Sequence, residues 1–236
     1  MQARFSHKLT LSEEKDLIRQ AKDGDWRADL ELDERLYARG NASEFSGEMI
    51  RLYVEHLEER CEDWDSIASI TLGSIYGDEK WGMMDTAKSM SKYCLAWKQG
   101  MLYGRECLGF EYYTGQLVEQ DFQRAFELLS ASEEDPESWQ TKYILGEMYF
   151  KGLHVQQDYK KAMEYFLAVV NDKTDAKALD AFFYKAYDRL SEMHRQGLGV
   201  ERSVERAEHY LDKKERYHRQ RPLIALRYIN QSRHIS

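Results

Sequence analysis

The sequence predicts an all-α chain of stacked helical hairpins, an α-solenoid, and three observations carry that prediction. Two prolines, Pro136 and Pro222, interrupt 236 residues that are 42% hydrophobic and 32% charged, a composition that favours long amphipathic helices over sheets. Leu145, Gly146, Tyr149, Gly152, Val155, Asp158 and Ala162 form a pattern that recurs at identical offsets as Leu108, Gly109, Tyr112, Gly115, Val118, Asp121 and Ala125. Worn copies flank these two, at Leu72, Gly73, Tyr76 and Asp85 before and at Leu190, Gly197, Gly199, Val200 and Ala207 after, so the leucines step by 36, 37 and 45 residues. A period in the thirties with one hairpin per unit is the mark of stacked helical repeats.

The elements follow in order. Thr10 and Glu13 make a capping box that opens a helix through Leu17, Ile18 and Ala21, broken at Gly24. Ala28, Leu32, Leu36 and Tyr37 space as a second helix ending at Gly40, and Met49, Ile50, Tyr53, Val54 and Leu57 form the apolar face of a third. Gly24 to Cys61 therefore has the spacing of a worn-down repeat. In the repeats themselves, Leu145 and Tyr149 share a helix face, Gly146 lets a neighbour approach with Ala162 as its small partner, Gly152 ends the helix in a left-handed conformation, and Asp158 caps the next. Gly109 and Ala125 repeat that close contact. Extra residues around Asn171–Asp172–Lys173–Thr174 and Leu179 lengthen the first helix of the last repeat by about two turns. Pro222 is expected to start a separate short helix carrying Leu223, Ile224, Leu226 and Tyr228, with the tail beyond Gln231 frayed.

The pattern L-G-x-x-Y-x-x-G-x-x-V-x-x-D-x-x-[KR]-A resembles the Sel1-like repeat, a relative of the tetratricopeptide repeat, over about Asp65 to Tyr217. The last copy departs from it at Ser191, His194 and Ser203. The resemblance implies a right-handed superhelix, with residues 1–64 as an N-terminal helical cap, 65–217 as repeats, and 218–236 as a capping helix with a basic tail. It also implies a protein-binding role: an adaptor in bacterial signalling or secretion, or an immunity protein beside a bacterial toxin.

Charge and chemistry narrow the function. The formal net charge is −8, while Lys213 to Ser236 holds seven Lys/Arg against one acid, so the acidic body repels nucleic acid and suits basic partners. Acids crowd Glu55 to Asp65 and Glu133 to Glu137. Cys61, Cys94 and Cys107 are an odd number with no paired spacing, which suits a reducing compartment and argues against a disulfide framework or cysteine zinc site. No apolar run reaches a membrane span or a leader peptide. A cytoplasmic location is expected, or a periplasmic or secreted one if a leader has been removed. Gly197-Leu-Gly199 sits at a repeat turn without a preceding strand and reads as that turn rather than a phosphate loop. Glu205, His209 and Asp212 share a helix face but lack a fourth ligand, so no metal or cofactor is expected and a metal-dependent enzyme around His209 is the competing class.

In arrays of this family the first helix of each hairpin lines the concave side, exposing positions five and two before the signature leucine and two and five after. These offsets select Tyr103, Glu106, Phe110 and Tyr113, then Gln140, Tyr143, Glu147 and Phe150, then Lys185, Asp188, Glu192 and Arg195. The expected partner-binding strip comprises Tyr103, Glu106, Phe110, Tyr113, Tyr143, Glu147 and Phe150, extended by Glu192 and Arg195. Aromatic anchors with interleaved carboxylates favour a protein partner with a basic surface or peptide.

Overall fold

The helices begin where a short polar side chain can take the first free N–H groups. In the computed structural model, which describes residues 9–38, 46–131, 138–171 and 181–232, eleven α-helices and no strand occur among the described residues. They are α1 (Leu11–Lys22), α2 (Trp26–Ala38), α3 (Gly47–Glu62), α4 (Ser66–Gly77), α5 (Thr86–Lys98), α6 (Leu102–Thr114), α7 (Phe122–Ser130), α8 (Trp139–Lys151), α9 (Tyr159–Val170), α10 (Ala181–Gln196) and α11 (Val204–Ser232). The Thr10–Glu13 capping box opens α1 as the sequence predicts. Asp65, Asp85, Asp121 and Asp158 cap α4, α5, α7 and α9, each carboxylate accepting from N–H groups of the first turn. Gly40, the acidic run Glu133–Glu137 and the turn beyond Asn171 lie outside the described residues.

The chain forms two compact units, Met1–Leu108 and Gly109–Ser236. In the first, α1, α2 and α3 pack together and α4 lies against both α3 and α5. Leu32, Met49, Tyr53, Leu57, Leu72 and Ile75 are buried at its centre. All five residues predicted for the apolar face of α3 are buried. In the second unit α8 packs on α9, α9 on α10 and α10 on α11 around Leu145, Met148, Phe166, Phe183 and Leu190.

One closure recurs in every hairpin. The N–H of the capping residue returns to the carbonyl of the signature aromatic: Asp85 to Tyr76 at 2.8 Å, Asp121 to Tyr112 at 2.9 Å, Asp158 to Tyr149 at 3.0 Å, and Ser203 to His194 at 2.8 Å. The first turn keeps the same nine-residue spacing from Tyr76 to Asp85 and reaches the closure through a 3-10 turn at Glu79–Trp81 and a left-handed Gly82. The signature lysine or arginine is held over the tyrosine: Lys161 Nζ donates to Tyr149 Oη at 2.7 Å and lies 4.3 Å from its ring centroid. Arg124 and Lys88 sit likewise over Tyr112 and Tyr76. In the last copy His194 is stacked on Tyr210 instead. Burial, with Arg206 adding to it, pushes that imidazole's pKa down.

Two expectations are corrected. The helix glycines do not face the alanine sixteen residues on but the large side chain twenty on. A Cβ on Gly146 would stand 2.6 Å from Phe166 Cε1, and one on Gly109 2.7 Å from Leu129 Cδ2; the alanines are buried beside these contacts. A ring needs the cleared space more than a methyl does, so glycine serves shape rather than close backbone approach. α10 has 16 residues from Ala181 against 13 in α6 and α8; the expected gain of two turns rests on 172–180, which lie outside the described residues. Second, α11 runs unbroken past Pro222. The proline removes one N–H donor from the ladder, and the bonds on either side carry the helix through.

A candidate partner-binding strip

The signature leucine turns into the core, so residues two and five positions away along the same helix stand at the edge of that buried face. This is why the strip is aromatic but not freely exposed. In the first unit, α6 presents Tyr103, 51% exposed, whereas Glu106 is buried. In the second unit the remaining predicted residues fall into an aromatic cluster and a charged cluster.

Phe110, Tyr113 and Phe150 are half-buried and Tyr143 is buried. Phe182 of α10 joins them, edge-on to Phe110 at 6.5 Å and tilted against Tyr143 at 5.4 Å, while Tyr143 rests on Phe166 at 5.6 Å. Phe150 in turn packs on Tyr159 and Phe166. Aromatics of α6, α8 and α10 thus form one connected cluster in which each ring keeps an edge-to-face or tilted geometry. Burial, reinforced by the nearby Glu147 charge, raises the Tyr113 phenol to about 12 and pushes Tyr143 higher still, so both are neutral phenols at physiological pH.

Glu147 is buried rather than displayed. Its two oxygens accept from Arg189 Nε and, at 3.0 Å, Arg189 Nη2, and Lys151 Nζ approaches at 2.6 Å. Burial alone would raise the Glu147 carboxyl; Arg189 and Lys151 outweigh it and hold the pKa below the ordinary 4.5. Arg189 also donates to Glu192 at 2.7 Å, and its guanidinium lies 4.9 Å over the Phe150 ring. Lys185 lies over Phe182, and Asp188 accepts from Lys214 at 2.6 Å and 2.8 Å. Gln140 is half-buried and Arg195 exposed. The charges on this face are therefore mostly satisfied within the unit. Arg189, one residue past Asp188, and Phe182, three before Lys185, fall off the expected offsets and were missed from sequence. The need of a buried carboxylate for a cation was the available signal for Arg189, but nothing local named its partner.

Glu111 holds the position that Met148 and Met193 hold in the next two hairpins. It is buried, and Oε2 has no hydrogen-bond partner among the described residues. Burial pushes its carboxyl pKa up, against the Leu117 N–H that supports the charge.

The other candidates resolve locally. Gly199 is left-handed, and a Cβ there would meet Tyr159 Cβ at 2.7 Å, so the G-x-G is a packed turn. His209 lies edge-on to Tyr210. Among the described residues no three or more His, Cys, Asp or Glu side chains are grouped to hold a metal ion. The buried Cys61 thiol, its pKa pushed up by burial, shares a 3.3 Å hydrogen bond with Ser69. Among the described residues no helix is long and apolar enough to cross a membrane.

Comparison with known proteins agrees with this geometry. The profile of the Sel1 repeat matches residues 108–134, 141–168 and 185–213. A search of curated proteins gave no match. Among solved structures the fold is similar to a Sel1 repeat protein from Oxalobacter formigenes, at 18% identity and TM-score 0.62, covering 80% of this chain and 69% of the other. It is also similar to a putative Sel1 repeat protein from Klebsiella pneumoniae, at 21% identity, TM-score 0.51, and 87% and 93% coverage. A protective antigen of uropathogenic Escherichia coli matches at 20% identity and TM-score 0.55; the matched part is 86% of this chain and 48% of that longer protein.

Proposed function

Because the chain is a Sel1-like repeat protein, a fold that serves as a protein–protein interaction module, we propose that it is a non-catalytic binder that regulates or neutralises one partner protein. The observation that carries this is the connected row of half-buried aromatics, Phe110, Phe182 and Phe150, on successive first helices. Such rings keep enough exposure to anchor a partner and enough packing to be held rigid. The proposed contact set is Phe110, Tyr113, Tyr143 and Phe150, with Arg195, Glu192 and Arg189 at its charged border. Residues 65–217 are the binding array in this reading, with 1–64 and 218–236 as its caps.

The internal pairing of Glu147 shifts the weight of recognition from carboxylates to aromatic anchors. A basic partner is favoured by the chain's net charge of −8 rather than by a free carboxylate in the strip. An immunity protein, which must occlude one toxin, is the form we favour; an adaptor is the second.

The test is capture of a partner from the native host, followed by kinetics with variants. Phe110→Ala and Phe150→Ala should each weaken the complex by about 2 kcal/mol, roughly 30-fold, with unchanged helicity. Wild-type affinity in both would refute the strip. A toxin gene beside this one, with its product bound and inhibited, supports the immunity form. Stoichiometric metal in the purified protein would favour the competing enzyme class around His209.

A further inference from the structure

We infer that the first unit carries a second docking surface, on the edge formed by Trp26 and Trp64, and that its partner is an arginine- or lysine-rich segment of another protein. The inference stands independently of the strip in the second unit.

The first observation is a strained residue with no internal return. Three turns that link one hairpin to the next share a backbone. At Gly24, Trp64 and Gly100 φ is +89°, +68° and +91°. In each, that residue's N–H returns to the carbonyl three back, at 2.9, 3.1 and 2.9 Å. The next N–H returns to the carbonyl five back, at 3.0 Å in all three. Glycine takes the left-handed position twice, as expected. A tryptophan there is a conformational outlier, and its ring, 65% exposed, recovers none of the cost by burial. Strain held by the fold without a packing reason points to a use outside it.

The second observation ties the helix of another exposed tryptophan to the turn that holds Trp64. Trp26, 66% exposed, opens α2. Arg60 donates to Asp29 at 3.2 Å and to Asp65 at 2.8 Å. Asp29 lies three residues after Trp26, on the same helix face, and Asp65 directly follows Trp64. The Arg60 bridge therefore holds the starts of α2 and α4 side by side, with Ile67, 54% exposed, one turn on. Large apolar groups grouped at a surface mark an interaction site.

The third observation gives the partner's chemistry. Residues 22–29 and 58–65 hold eight acids against three basic residues. All three are engaged: Lys22 on Glu59 at 2.7 Å, Arg60 as above, and Arg27 over the Trp26 ring at 5.4 Å. Asp23, Glu62 and Asp63 are exposed, with no ion-pair partner among the described residues. Indole faces beside unpaired carboxylates complement a cation on an apolar stem, guanidinium above all, since it stacks and pairs at once. An anionic partner would meet repulsion.

The test uses the full chain, nona-arginine and nona-glutamate peptides, and the five tryptophan indole N–H signals in a 15N-labelled sample at low salt, assigned by single Trp→Phe variants. Nona-arginine should shift the Trp26 and Trp64 signals saturably and leave the buried Trp81 in place; nona-glutamate should shift none. Trp64→Gly should raise Tm by about 2–4 °C through relief of the turn yet weaken nona-arginine binding tenfold or more. Phe150→Ala should leave that binding unchanged, which separates this surface from the strip. Three outcomes would overturn the proposal. One is a Tm unchanged or lowered in Trp64→Gly, the second is wild-type affinity in Trp64→Gly or Trp26→Ala, and the third is equal shifts across all five indoles.

Discussion

Replacing Gly146 by alanine sets two effects of known sign against each other. Alanine in a helix interior is favoured over glycine by about 1 kcal/mol. The new Cβ, however, would lie 2.6 Å from Phe166 Cε1 and 3.1 Å from Cζ, and overpacking of this kind costs about 1–3 kcal/mol. Phe166 is fully buried and its ring has nowhere to swing, so the clash should win, with a net loss of about 1 kcal/mol and a Tm lower by about 2–4 °C. Phe166→Ala removes all three contacting ring atoms, Cε1, Cδ1 and Cζ, and itself costs about 3–5 kcal/mol. In that background Gly146→Ala should be neutral or stabilising, because the helix term remains and the clash does not. Urea unfolding followed by far-UV circular dichroism on the four proteins yields the coupling energy, expected at about 1 kcal/mol or more. If alanine stabilises equally in both backgrounds, glycine is not there for the ring.

Asp158→Ala, which removes the carboxylate accepting from the Lys160 and Lys161 N–H groups, should cost about 1 kcal/mol in the same unfolding assay. Arg189→Met should cost on the order of 2–3 kcal/mol at pH 7, because Glu147 stays buried with Lys151 as its remaining partner. Since the folded Glu147 pKa lies below the ordinary 4.5, its contribution is complete above that pH and is lost as pH falls through the folded value; Arg189→Met should flatten this acid limb in a Tm–pH series. Glu111 has the opposite sign: its folded pKa is raised, so it costs stability as pH rises through about 4.5 and beyond. Glu111→Gln should therefore stabilise by on the order of 1 kcal/mol at pH 7 and show no gain below pH 4.

The parts of this fold that were legible from sequence are those decided within one hairpin. The Asp158 cap and the left-handed Gly152 involve residues at most thirteen positions from the signature leucine, and each leaves its own residue type behind as a sign. The face of α3 was legible for the same reason, through helical spacing alone. What escaped was set by packing between hairpins. Arg189 reaches Glu147 across 42 residues, and no local rule relates the two positions. Trp64 escaped for a different reason: its turn is marked elsewhere by glycine, and here the backbone keeps the left-handed bend without the residue that announces it.

This division bears on how the partner is to be sought. Ring positions on the strip follow from helix geometry, but Phe110, Tyr113 and Phe150 are half-buried and Tyr143 is buried, with Phe182 packed among them. Glu147 is not displayed as expected, since this buried acid pairs with Arg189 and Lys151 within the fold. Reversing Glu147 would therefore break a buried pair and report on stability, not on association. Charge reversal becomes informative at Asp23, Glu62 and Asp63, which are exposed and have no ion pairs to lose among the described residues. A basic partner docked on the first unit should feel those carboxylates in its association rate and salt dependence, and a partner docked on the strip should feel Phe110 and Phe150 in its dissociation rate.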